Sequence, residues 1–318
     1  MIKMKDVVAA RERIKDYIYR TPLDFAMGLS EGSIKIFLKL ECQQKLKAFK
    51  VRGAFSKMTA LTEGEKERGI MAVSSGNHGA SVSYASNLLG IHNVKIFVPE
   101  STPFSKTKKI EYYGTKVNKV GKTYDDTHRI AMEVLEKEKL TFIDPCSDVE
   151  VIAGQGTIGL EILEQNPDID MIVVPIGGGG MITGIGVAAK HIKPDIKIIG
   201  VQTAACPAMI KALEDKTCYL EYPTEASVCD ALVGGIGEIP YAMAKTCIDH
   251  IIEVDEEMIK KATVRLLTEE KVVAEPSSAV GVAALMTKPE LFEGKNVAMV
   301  VSGGNLDKEL MKNLLMAY

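Results

Sequence analysis

Val- and Ile-rich runs long enough for a strand recur along this chain, and segments of helical periodicity lie between them. "IKIFLKLE" (34–41), "GIMAVSS" (69–75), "VKIFVPE" (94–100), "TKVNKVG", "LTFIDP", "DMIVVPI", "IKIIGVQ" and "KNVAMVVSGGN" make up the strand set. "NHGASVSYASNLLG", "SKTKKIEYYG", "DDTHRIAMEVLEKEK" and "ITGIGVAAKHI" read as helices between them. Strands that alternate with helices return by crossovers, so they pair in parallel. The pattern predicts an α/β fold of parallel sheets with helices on both faces.

A chain of 318 residues is long for one core and natural for two lobes. The pattern breaks near residues 60–70 and again at "PCSDVEV". The expected division is residues 1–62 and 147–318 for a large lobe, with 63–146 inserted as a small one. A formal charge of −3 without a basic block argues against nucleic acid as a partner. No apolar run reaches the length of a membrane span, so no membrane partner is expected. The opening "MIKMKDVVAARERIKDYIYR" lacks the apolar stretch of a signal peptide. Six scattered cysteines without a C-x-x-C pair read as free thiols of a reducing compartment, the cytoplasm. Five dispersed histidines offer no metal-ligand spacing, and no metal is expected.

After the run "VVPI" come four consecutive glycines, Gly177, Gly178, Gly179 and Gly180, and then a helix. Glycine loses the most backbone freedom on folding, so four together need a reason. Strand, glycine loop and helix N-terminus form an anion-binding arrangement, because backbone N–H groups point at the ligand. No Gly-Lys-Ser/Thr follows, which excludes a nucleotide P-loop, and "GGGGMITG" fits the dinucleotide fingerprint in no register. That fingerprint does occur in "GQGTIGLE", at Gly154, Gly156 and Gly159, but without an acidic residue about twenty positions on; it reads as a helix entry. A single phosphate on a smaller cofactor remains. "SSGNHGA" (74–80) and "VSGGN" (301–305) also end strands, so three loops can converge on one crevice.

"AFKVRGA", "SSGNHG", "GQGTIGLE", "GGGG" and "SGGN", in this order, resemble the fold type II pyridoxal-phosphate enzymes, and among them the serine/threonine dehydratase (threonine ammonia-lyase) and serine racemase family. The resemblance covers nearly the whole chain and implies a two-lobed, tryptophan synthase β-like fold, pyridoxal 5'-phosphate as cofactor, and a homodimer. It implies that Lys50, beside Phe49, is the lysine bonded to the cofactor aldehyde and the general base. Gly177 to Gly180 and the Met181 backbone would cradle the phosphate, and Asn77 would meet the ring's phenolic oxygen. Ser74, Ser75, Gly76, Asn77 and His78 would bind the substrate carboxylate. Ser302 would face the pyridine nitrogen. A serine supplies no negative charge to keep that nitrogen protonated, so prompt loss of a β-substituent fits better than a long-lived carbanion. Glu275 in "AEPSSA" matches an acidic position near the cofactor, or else is an acid at a helix N-terminus. The implied reaction removes water from L-threonine or L-serine and gives a 2-oxo acid and ammonia.

Five departures bear on that reading. Lys47 and Ala48 stand where the family usually has Gly-Ser before Phe-Lys. Ser75 occupies a position that is often alanine in dehydratases and serine in racemases, where the hydroxyl serves as a second acid/base, so racemization stays open as the alternative. Gln202 replaces a metal-binding glutamate of the racemases, and a divalent site there is expected to be absent or altered. Ala231 in "CDALVGGIGEIP" takes a glycine position, as in dehydratases of other β-hydroxy amino acids. Cys146 follows Pro145 where Tyr or Asn is usual. The chain also ends soon after "SGGN", so feedback through a C-terminal regulatory domain is not expected and a catabolic role is.

Overall fold

The computed structural model describes residues 1–318, the side chains of Ser105 and Asp125 excepted. Ten strands form two sheets. The strands are β1 (Leu23–Phe25), β2 (Lys35–Lys39), β3 (Ile70–Val73), β4 (Val94–Val98), β5 (Val117–Lys119), β6 (Thr141–Phe142), β7 (Met171–Pro175), β8 (Lys197–Thr203), β9 (His250–Val254) and β10 (Asn296–Val300). Six pair in the order β1-β2-β10-β7-β8-β9, and four in the order β5-β4-β3-β6. All pairs are parallel except β1 with β2, in which Asp24 stands opposite Leu38. The alternation of strand and helix therefore dictates what it should. The two strands it missed are both at edges: three-residue β1, and β9, whose "HIIEV" leaves His250 and Glu253 exposed.

The helices run α1 (Met4–Ile14), α2 (Lys50–Thr59), α3 (Glu63–Arg68), α4 (Asn77–Leu89), α5 (Phe104–Tyr112), α6 (Tyr124–Glu138), α7 (Val149–Gln165), α8 (Gly180–Ile192), α9 (Ala208–Asp215), α10 (Glu238–Cys247), α11 (Glu256–Thr268), α12 (Pro276–Thr287) and α13 (Lys308–Ala317). One face of the large sheet packs on α11 and α12, with Val173, Val201, Ile252, Leu266 and Val280 buried there. The other packs on α7 to α10, through Ile172, Ile198, Ile158 and Ile185. Every residue of β7 is buried, as a central strand covered on both faces requires. The small sheet lies between α2 with α4, around Phe55 and Val82, and α6, around Ala131.

Gly154, Gly156 and Gly159 do not enter a helix. They lie in the interior of α7, and the sequence expectation is corrected there. A Cβ at Gly154 would come within 2.6 Å of the Arg52 carbonyl on α2, and one at Gly156 within 2.9 Å of the Gly184 carbonyl on α8. The spacing lets three helices pack backbone to backbone. Close packing and phosphate binding both need glycine, and they look alike in sequence.

Candidate active site

The loops that leave β3, β6, β7 and β10 at their carboxyl ends meet in one cleft between the two sheets. In open α/β folds this is where ligands bind. Lys50 is the first residue of α2. Its half-buried side chain crosses to the small-sheet side and donates to the Pro145 carbonyl at 2.9 Å. Burial holds its ammonium below the usual lysine range, with the Asp144 carboxylate nearby opposing. The amine also lies 5.1 Å from the centre of the Phe49 ring. A lysine that gives up its proton readily, on a rigid helix, suits attack on an aldehyde and later proton transfer.

The glycine loop closes on the same point. Gly179 has φ +90°, a conformation that favours glycine, and it caps α8. A Cβ on Gly178 would meet the Cys146 sulfur at 2.5 Å, and one on Gly180 would meet the Cys146 carbonyl at 2.7 Å. The loop is thus pressed against the residue that follows Lys50's acceptor, and only bare backbone fits. Met181 buries its side chain in the core, so what it offers the loop is its N–H in the first turn of α8, where helical donors lack helical partners. Burial pushes the Cys146 thiol up to about 12 and keeps it neutral. All six cysteines are free.

On the opposite side, Ala48 forms a single antiparallel bridge with Gly303, and the Phe49 N–H donates to the Ser302 carbonyl at 3.0 Å. Ser302 is buried, with its hydroxyl 2.9 Å from that of Ser278 on α12. Ser278 also takes the Gly303 N–H at 2.7 Å and donates to the Gly303 carbonyl at 2.9 Å, which fixes the "SGGN" turn. Its position beside Glu275 in "AEPSSA" carries no sequence signal of this role.

Ser74, Ser75 and Gly76 form the loop between β3 and α4, with the Gly76 N–H on the Ser74 hydroxyl at 3.2 Å. Ser74 and Ser75 are half-buried and Gly76 exposed, so the loop is open to a ligand. The His78 imidazole is buried against the Ile143 carbonyl at 2.7 Å, and burial takes its pKa down to about 4. A neutral ring held there leaves the backbone N–H as what His78 can offer a carboxylate. Asn77, the first residue of α4, donates to Glu275 at 3.1 Å. Glu275 precedes α12 and is buried; burial pushes its pKa up to about 7, against the hydrogen bond from Asn77. Glu275 thus sits at a helix N-terminus and beside Asn77.

Gln202 is buried at the carboxyl end of β8, and its side-chain oxygen accepts the Met209 and Ile210 N–H groups at 3.0 and 3.1 Å. The amide caps α9. Asp230, next to Ala231, reaches Lys106 of α5 at 3.3 Å across the mouth of the cleft, and the Ala231 carbonyl lies against Gly177.

The residues present fit a phosphorylated aldehyde cofactor. They supply a lysine with a weakened ammonium, a glycine cradle at a helix N-terminus with no room for a Cβ, and an uncharged hydroxyl in the "SGGN" turn. Comparison with known proteins points the same way. Residues 14–303 match the family described as pyridoxal-phosphate dependent enzyme. The chain is 39% identical over 317 residues to the L-threonine ammonia-lyase of Thermotoga maritima, covering 99% of this chain and 78% of that one. Maize serine racemase superimposes with a TM-score of 0.91 at 31% identity, covering 99% of this chain and 97% of its own. The processed form of threonine deaminase isoform 2 from Solanum lycopersicum superimposes with a TM-score of 0.91 at 31% identity, covering 98% of this chain and 86% of its own.

Proposed function

This chain belongs to the pyridoxal-phosphate dependent enzymes, and from that premise we propose that it eliminates water from L-threonine, and from L-serine, to give a 2-oxo acid and ammonia. The observation that carries the reading is Lys50: a burial-weakened ammonium at the edge of the glycine cradle, in a chain similar to an L-threonine ammonia-lyase. Bound in the cleft, the cofactor supplies an electron sink for the pair left when the α-proton departs.

The protein's own groups do the rest. Gly177 to Gly180 and the Met181 N–H would hold the phosphate, Asn77 the phenolic oxygen, Ser302 the ring nitrogen, and Phe49 would pack at the side. The loop Ser74–Gly76 and the first N–H groups of α4, from Asn77 and His78, would hold the substrate carboxylate. Lys50 takes the proton from Cα as a neutral amine and is the group able to return one. Ser302 and Ser278 share one hydrogen bond and carry no charge, which favours early departure of the β-hydroxyl.

Serine racemization is the second reading. It is favoured by Ser75, a half-buried hydroxyl at the cleft that can act as a second acid/base. We further read the strands of residues 70–142 with their helices as the small lobe, which supports boundaries at 62 and 146. We place the protein as a homodimer in the cytoplasm, where six free thiols persist. Sedimentation of the holoenzyme tests the dimer. The activity is tested by incubating the holoenzyme with L-threonine, L-serine and D-serine. Oxo-acid release from the L-substrates is expected. D-serine formed from L-serine with little oxo acid would replace the lyase reading with the racemase one.

A further inference from the structure

We propose that Lys109 and Asn305 are positioning residues that fix which edge of the Asn77 amide faces the cleft, through one directional chain of hydrogen bonds. The inference rests on the reading of Asn77 as a contact of the cofactor.

The chain begins on α5. The Lys109 ammonium donates to the Asn305 side-chain oxygen at 2.6 Å. The Asn305 amide nitrogen then donates to the Asn77 oxygen at 2.6 Å and to the Leu46 carbonyl at 2.9 Å. The Asn77 amide nitrogen donates in turn to the two Glu275 oxygens at 3.1 and 3.4 Å. Glu275 closes the ring by accepting the Asn305 backbone N–H at 3.2 Å.

An amide can flip, but this one has its polarity set from the lysine end. An ammonium only donates, and Glu275 already accepts the Asn305 backbone N–H. Turning either asparagine over would place oxygen against oxygen on one side and N–H against N–H on the other. With the Asn77 oxygen consumed by Asn305 and one hydrogen satisfying Glu275, the second hydrogen of the same nitrogen is left for a bound group. The chain thus presents a donor, never an acceptor, at this edge. That selects a ligand oxygen bearing a lone pair.

The chain also crosses the cleft. Lys109 and Asn77 belong to α5 and α4 beside the small sheet, while Asn305 and Glu275 follow β10 and precede α12 in the large one. Asn305 additionally holds the carbonyl of Leu46, which has φ +60° in the turn leading to Lys50. One side chain therefore ties the lysine's approach to the Asn77 amide. Lys109 is half-buried, and the charges around the ring are Lys109, Asp230 and Lys47.

The test reads cofactor retention rather than turnover: the rate at which the holoenzyme loses pyridoxal phosphate on dilution, followed by its visible absorption. Lys109→Met should speed the loss by about tenfold, the factor for one hydrogen bond to a charged group. Lys109→Arg, which keeps a donor, should restore slow release. Asn77→Ala should be at least as fast as Lys109→Met, and the double variant no faster than Asn77→Ala. Multiplied effects in the double variant, or unchanged release in Lys109→Met beside fast release in Asn77→Ala, overturn the inference. Unchanged release in Asn77→Ala itself overturns the reading of Asn77 on which it rests.

Discussion

Lys50 and Arg52 stand two residues apart in the first turn of α2, both cationic and both withdrawn from water, and the fold surrounds them in opposite ways. Arg52 meets Glu41 with two nitrogens at 2.8 Å each, Glu161 at 2.6 and 2.9 Å, and Thr157 at 3.1 Å. Burial works against its charge, yet Glu41 and Glu161 more than offset it and hold the guanidinium above its ordinary range. Lys39 joins the cluster through Glu161 at 2.6 Å, so two cations face two carboxylates. Lys50 receives one neutral carbonyl. The Arg52 charge is held by its two carboxylate partners, and the Lys50 ammonium has no carboxylate at contact distance among the described residues. The cluster joins β2, α2 and α7, so the unpartnered lysine projects from an anchored helix end.

The sharpest way to break this comparison is to remove each cation. Lys50→Ala is expected to lower oxo-acid release by at least about 10³-fold, since proton transfer and covalent attachment are lost together. Without added pyridoxal phosphate its thermal stability should be unchanged or higher, because a poorly paired, half-buried amine is gone. Arg52→Met is expected to do the reverse in thermodynamic terms. Two buried carboxylates left against Lys39 alone should cost about 3–5 kcal/mol of unfolding free energy, measured by denaturant titration. Equal destabilization by the two substitutions would remove the distinction.

Glu275 sharpens the contrast from the anionic side. It is a buried carboxyl with amide partners but, among the described residues, no ion pair at contact distance, and burial lifts its pKa from 4.5 to about 7. A folded-state value above the unfolded one means that the folded chain holds the proton longer. Its contribution is fully present below about pH 4.5 and is lost as the pH rises through 7. Glu275→Gln should therefore flatten the fall in stability between pH 5 and pH 8, a change of up to about 3 kcal/mol. The slope is the quantity to compare, since the amide also removes an acceptor that Asn77 and Asn305 use. An unchanged slope would place the titration elsewhere.

Period and glycine usage made the two sheets, the glycine loop before α8 and the order of the loops legible, because each is a local pattern. What stayed hidden is what long-range packing decides. Arg52 lies 109 positions from Glu161 in sequence, and nothing in "KVRGA" says that its guanidinium is paired rather than solvated. Lys109 reads as one of several lysines on an exposed helix until Asn305, 196 residues away, is seen against it. Asn305 itself stood in the quoted "SGGN" without a role, because a terminal amide in a turn fits any number of uses. In α7 the same glycine spacing as a phosphate loop is imposed by helix contact.

The smallest effect concerns a departure that the structure explains in part. Lys47 stands where similar enzymes usually carry glycine, and its backbone has φ +60°, as does Leu46 before it. This left-handed region costs a residue with a Cβ about 1–2 kcal/mol. The turn is held there regardless, by the Lys47 N–H on the Gln44 carbonyl at 2.8 Å and the Gly304 N–H on the Lys47 carbonyl at 2.8 Å. Lys47→Gly relieves the strain but gives the unfolded chain more freedom, so the net gain should be below about 1 kcal/mol. The side chain is exposed, and its charge contributes little to the fold. A melting temperature slightly above that of the parent, with oxo-acid release unchanged, is the expected outcome. A loss of activity with stability intact would mean instead that the lysine's charge, and not its backbone, is what this chain uses ahead of Lys50.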